Sequence, residues 1–369
     1  MYDGVCKSTY SHIRGQITRQ WRQPKSLTTS KLQNEVVQES KKISIQIERQ
    51  SQETFAEQSF DKVGQPIEKP MAKEWEHLPL KELEVAKKEM IGNTSEDLRE
   101  LLEKQVLIES QYEAKNTCYA SVDDVCCKRQ KDYRKEHTAK KGTTDPLKRV
   151  YNSVIRVQLA DYEDYTLVHN TMGGVLMLLM AFLLNNKLLN HNWLFLVDGQ
   201  RSMKKAILHQ FGWRNIRFIM DWYHLLKKCR GQLSMALKHK DYSKEVLMEL
   251  KRRLWYGLHE EAIQWLEDIA EDKIKNERRL YELIEYLNRH RESLPNYALR
   301  KQLGLPNSSN PAENANNQLV SKRQKHNGMS WTDKGSQGLA KLISLDLNKE
   351  RHLWLTASKF AFRFRKKAA

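Results

Sequence analysis

Two short apolar runs, each closed by an aspartate, constrain this chain more than any other feature. They are Trp193-Leu-Phe-Leu-Val197 before Asp198 and Ile216-Arg-Phe-Ile-Met220 before Asp221. Such runs read as strands buried on both faces, the kind found under covering helices. Between them, Ser202 to Phe211 has a helical pattern. Upstream, Thr117 to Cys126 reads as a strand carrying Asp123 and Asp124, and Tyr151 to Leu159 as another. Tyr165 to Val168 supplies a third, which feeds an apolar helix over 171–185. Strand, helix and strand in alternation predict an α/β fold, a mixed or parallel sheet flanked by helices. The apolar stretch Val175–Leu184 is far shorter than the roughly 18–20 residues a bilayer span needs, so no membrane segment is expected.

The flanks differ in texture. Residues 1–70 are polar and without sustained period, and they read as loosely ordered. Residues 71–116 turn helical: Leu78, Leu83 and Met90 lead to a break at Gly92-Asn93, and Thr94 or Ser95 is placed to cap a helix through Leu98, Leu102 and Val106. From Trp222 to about Arg300 the apolar spacing stays near 3.6 and nothing resembles a strand. Pro306 to Pro311 is a loop, followed by a helix over 311–325 and a basic tail.

Charge is unevenly spread. The net charge is +17, yet residues 1–120 carry 18 Lys and Arg against 19 Asp and Glu, leaving 45 against 27 in residues 121–369. That excess implies a polyanionic partner. Of the five cysteines, none has Cys-x-x-Cys spacing, and Cys126 and Cys127 are adjacent. This usage suits neither structural zinc nor a disulfide framework, and it implies a reducing, cytoplasmic setting.

Three acids stand where strand ends and helices position them and packing does not need them. Asp123 is mid-strand, Asp198 ends a buried strand before the sharp turn that Gly199 permits, and Glu313 lies in a helix's first turn. Carboxylates from two strands and a helix can converge, and a converged cluster is costly unless cations neutralise it. Mg²⁺, a hard ion preferring oxygen, is the fitting cofactor, with Mn²⁺ as a substitute. Two such ions about 4 Å apart would serve an in-line displacement at phosphate. Each residue also has a structural alternative. Asp123 and Asp124 fit an exposed edge pair, with Asp124 an alternative first ligand, and Asp198-Gly199 is a common turn. Asn310-Pro311-Ala312-Glu313 fits a capping box with Asn310 as N-cap and Glu313 at N3.

Four stretches resemble bacterial insertion-sequence transposases of the ISLre type, relatives of the Mutator-like group. They are Ser121-Val-Asp-Asp-Val-Cys-Cys-Lys-Arg-Gln130, Trp193 to Gly199, Asp221-Trp-Tyr-His224 and Glu313-Asn-Ala-Asn-Asn-Gln318. The resemblance spans roughly 117–356. It implies an RNase H-like core over 117–224 and 306–369, interrupted by an all-helical insertion over 225–305. It further implies Asp123, Asp198 and Glu313 as catalytic metal ligands for DNA strand cleavage and transfer. The partners it implies are double-stranded DNA and further copies of the chain on that DNA, in a bacterial, nucleoid-associated setting. Asp221-x-x-His224 matches a signature of Mutator-like enzymes and reads either as a pair supporting the metals or contacting DNA, or as a helix cap. Asn316 and Asn317 lie three and four residues past Glu313, facing the same way. Lys322, Arg323 and Lys325 follow on that helix as candidate phosphate contacts. Trp331 is assigned to packing or base stacking.

Transposases of this kind carry a sequence-reading module ahead of the core. Residues 1–70 show neither a helix-turn-helix nor zinc-binding cysteines, so that module is expected to be truncated or replaced. Two other readings stand beside the transposase: an RNase H-fold nuclease that cuts without joining, and an inactive or domesticated DNA-binding derivative.

Overall fold

The computed structural model describes residues 77–113, 117–130, 148–188, 191–212, 216–325 and 328–367, with a few helical residues between 38 and 49. The polar segment expected over 1–70 and the basic stretch 131–141 lie almost wholly outside the described residues.

Five strands form one mixed sheet: β1 (Cys118–Lys128), β2 (Arg149–Gln158), β3 (Tyr165–His169), β4 (Trp193–Val197) and β5 (Ile216–Met220). Their order is β3-β2-β1-β4-β5. The β1–β2 and β2–β3 pairs are antiparallel, whereas β1–β4 and β4–β5 are parallel. The two parallel joins are crossed by helices, as parallel strands require.

Side chains alternate across a strand, and here both faces are covered. On one face Trp193, Phe195 and Val197 of β4 join Cys118, Ala120 and Val122 of β1. Helices α3 (Met172–Asn185) and α4 (Arg201–Phe211) cover them, together with Phe360 and Phe362 of the tail. On the other face, Leu194 and Leu196 meet Leu225, Cys229 and Leu233 of α5 (Trp222–Ala236). That double coverage explains why β4 reads as an unbroken apolar run. Helix α3 starts at Thr171, whose hydroxyl accepts from the Gly174 N–H at 3.1 Å.

The second face has two helical layers. Over its β4–β5 side lie α5, α6 (Lys240–Trp255), α7 (His259–Glu267) and α8 (Glu277–His290), with α9 (Tyr297–Gln302) beyond. Over Val125, Cys127, Val150 and Val154 lie Ala315, Leu319 and Val320 of α10 and Ala340 and Ile343 of α11 (Asp333–Leu347). Helix α10 begins as Asn310–Asn316, passes through a π turn at Asn317–Ser321 and resumes at Lys322–Gln324. Asp123 shares this face and falls at the seam between the two layers.

The helices α1 (Leu80–Gly92) and α2 (Glu96–Lys104) share a core with Leu258, Leu299 and Leu305. A buried ion pair ties the same regions. Arg300 donates to both Glu113 carboxylate oxygens, at 2.8 and 2.6 Å, and to the Pro306 carbonyl at 3.0 Å. The Tyr119 hydroxyl adds a bond to Glu113 at 2.9 Å. No helix among the described residues is long and apolar enough to cross a membrane.

Candidate active site

The β1–β4 ladder pairs Ser121 with Leu196, and two residues further along each strand stand Asp123 and Asp198. The alternation of side chains therefore sends Asp123 and Asp198 to one face, with Asp198 one residue past the end of β4. Asp124 pairs with Ser153 and points to the opposite face, so Asp123 is the one directed at the seam. Asp123 Oδ2 accepts from the Asn316 amide at 2.6 Å, and its Oδ1 from the Asp124 N–H at 2.8 Å. Burial pushes the Asp123 carboxyl up to about 6, and the charge of Asp198 adds to that; the Asn316 hydrogen bond, the Asp124 N–H and the charge of His224 pull the other way.

Asp198 closes β4 and accepts the Gln200 N–H at 2.8 Å, making a tight turn over Gly199. Gly199 has φ +84°, and a Cβ there would lie 2.8 Å from the Tyr286 hydroxyl and 2.9 Å from Met220 Cε. The backbone conformation there favours glycine.

Asp221 caps α5: its Oδ1 accepts the His224 N–H at 2.8 Å. The His224 Nδ1 lies 3.2 Å from the same oxygen. Oδ2 accepts from the Ser309 N–H at 2.6 Å and its hydroxyl at 3.1 Å. Burial raises the Asp221 carboxyl, yet the bonds from His224 and Ser309 outweigh it and leave it below its ordinary value. With its lone pairs so occupied, Asp221 is a positioning residue. It locks the first turn of α5 to the residue from which α10 starts.

The capping box expected at Asn310 is not formed. The helix starts one residue earlier, with Ser309 at the N-cap and no side-chain cap bond. Asn310 is helical and Glu313 falls at the fourth position, its carboxylate 3.7 Å from His224 Nδ1. The Ser309 hydroxyl is instead committed to Asp221. The contact with Asp221 raises the His224 imidazole above its ordinary value, burial opposes this, and the charges of Asp221, Glu313 and Asp198 add to it.

Among the described residues, one set of three or more potential ligands has donor atoms all within 4.8 Å of one another: Asp221, His224 and Glu313. Asp123, Asp198 and Glu313 are not drawn together as tightly; Asn316 contacts Asp123, and His224 lies beside Glu313. Asn316 is 5% exposed and its Oδ1 has no partner. Asn317 is exposed, since one helical step turns it about 100° away from Asn316. Lys322 and Lys325 are exposed, and Arg323 donates to the Gln318 carbonyl at 2.9 Å. Trp331 packs against the cluster that holds Val125, Leu319 and Ala340, and donates to the Gln324 carbonyl at 3.2 Å. His326 lies outside the described residues.

Sequence reasoning missed Ser309, the Arg300–Glu113 pair and Tyr286. Only Ser309 left a signal, as a hydroxyl just ahead of Pro311. No protein-family model, curated protein or solved structure matches the chain.

Proposed function

We propose that the chain is a DNA transposase of the Asp-Asp-Glu type, with an RNase H-like core that cleaves and transfers DNA strands using two Mg²⁺ ions. One observation carries the reading: Asp123 and Asp198 lie just beyond the β1–β4 pairing on one face, and Asn316 ties Asp123 to the helix that bears Glu313. The mid-strand, strand-end and helix origins of the three acids are those the RNase H-like reading requires. The donor set fits the metal, since Asp123, Asp198 and Glu313 offer only hard carboxylate oxygens, and the unpartnered Asn316 Oδ1 is a further oxygen at the seam. Bound there, the ions would activate a water or 3′-hydroxyl and stabilise the leaving oxygen.

The chain's own residues have separate tasks. Asn316 orients Asp123 by its amide. Asp221, through His224 and Ser309, fixes the start of α10 and hence Glu313. The raised imidazole of His224 lies beside Glu313, where its protonated form would temper the repulsion among the acids. Lys322, Arg323 and Lys325 continue the same helix and supply phosphate contacts.

The test is nicking of supercoiled plasmid with Mg²⁺. The parent should nick, and EDTA should abolish it. Asp198→Asn should bind DNA as the parent does yet lose nicking by orders of magnitude, because the shape stays and the ligand charge goes. Glu313→Gln should behave likewise. Parental nicking by Glu313→Gln would remove it from the centre and overturn the assignment. Nicking without joining of a 3′-ended donor to target DNA would favour the nuclease reading.

A further inference from the structure

Beside the candidate centre an open groove of about 600 Å³ runs between α5 and α8. Asp198, Gly199 and His224 form one end. Lys227, Lys228, Gln232 and Met235 of α5 line one side, and Tyr286 of α8 the other. Its size falls within the roughly 300–1,000 Å³ that hold a drug-sized ligand. Met235 is 43% exposed, and Tyr286 presents a half-buried ring with the Lys228 Nζ 5.7 Å from its centroid. Gln232 is only 4% exposed and its Oε1 has no hydrogen-bond partner. A buried amide oxygen left without a donor is costly, so its place in the wall of a groove points to a ligand that offers an N–H.

We propose that this groove holds an unpaired DNA strand leading away from the candidate centre. The proposal rests on the reading of the chain as a DNA-cutting enzyme, and it names the state of the DNA that the site holds. Three features match three needs of an unpaired nucleotide. An aromatic ring and a thioether give a base a face to lie on, exposed ammonium groups take phosphates, and the Gln232 oxygen accepts from a base edge. Paired bases offer no free face, so a closed duplex cannot use the Tyr286 wall. The Tyr286 hydroxyl closes over Gly199, which places the ring next to the turn that carries Asp198.

The experiment uses the full chain in EDTA, so that binding is read apart from cutting. The probes are a blunt duplex and the same duplex with a short unpaired tail bearing 5-iodo-deoxyuridine. The tailed probe should bind more tightly, and light should crosslink the tail to α5 or α8. Tyr286→Ala should cut the tailed-over-blunt preference about tenfold, and Tyr286→Phe, which keeps the ring, should retain it. Lys227→Gln with Lys228→Gln, both at exposed positions, should lower the salt slope for the tailed probe by about 1.4. Equal binding of the two probes by the parent, an unchanged preference in both the Tyr286→Ala and the double-lysine variants, or crosslinks confined to other elements would overturn the proposal. The outcomes separate it from the parent reading. A chain that nicks plasmid but ignores the tail loses the groove and keeps the chemistry. A chain that grips the tail but never nicks keeps the groove and loses the chemistry.

Discussion

Asp221 shows how much one buried carboxylate can organise. It accepts two backbone N–H groups, from the first turn of α5 and from the start of α10, along with a hydroxyl and an imidazole contact. Asp221→Ala would lose an N-cap and strand a buried N–H, a combined cost of about 2–4 kcal/mol. Urea denaturation should show that loss as a lower midpoint with an unchanged slope; a loss under about 1 kcal/mol would mean that water replaces the carboxylate freely. The Asp-x-x-His spacing was legible in the sequence, and so was its alternative as a cap. The structure shows the cap, and the side chain that caps the helix also faces the imidazole. Ser309 was not legible as the partner, since nothing local in Asn307-Ser-Ser-Asn310 marks one serine as facing a residue 88 positions earlier.

At the scale of elements, the strands followed from composition alone. All five fall within a few residues of their sequence ranges, because buried β-branched and aromatic runs have few alternatives. Helix α10 was located but not its geometry. The π turn at Asn317–Ser321 arises from packing on the sheet, and such turns carry no pattern in sequence. The C-terminal segment was read as the last helices of the core and a basic tail, and it is latched to the sheet. Glu350 accepts from the Tyr165 hydroxyl and the Phe362 N–H, both at 3.0 Å, and the Asn348 side chain pairs with the backbone of edge strand β3. Burial raises the Glu350 carboxyl above its ordinary value, and the hydrogen bonds it accepts only partly offset that. The folded carboxyl thus holds its proton more tightly than the unfolded chain does. Its contribution to stability is complete below the ordinary pKa and is lost as pH rises through the raised value. Glu350→Gln keeps an acceptor for Phe362 and does not titrate. The melting temperature of the variant relative to the parent should therefore climb between pH 4 and pH 8; a flat or falling difference would contradict the buried-carboxyl account.

For the whole molecule, the charge asymmetry is the property that sequence conveyed best and structure localises only in part. Three basic side chains extend along the helix that carries Glu313, so on the proposed reading duplex binding should weaken steeply with salt through release of counterions. Replacing Lys322, Arg323 and Lys325 together with Gln should reduce the slope of log affinity against log salt by about 2.7. An unchanged slope, read by fluorescence anisotropy, would move the duplex-binding face to the tail at 359–367. The long reach between Asp123 and Asn316, 193 residues apart, has a further consequence for how the protein is made. Chains emerge from the ribosome in order, and domains begin to fold from the N-terminal side. The sheet can pair while the helices after Asp221 are still being synthesised, but the third acid and its supports at Ser309 and Asn316 arrive only afterwards. On the proposed reading, an unfinished chain has no cutting centre, and premature termination anywhere before Glu313 yields a fragment harmless to the DNA of the cell that made it.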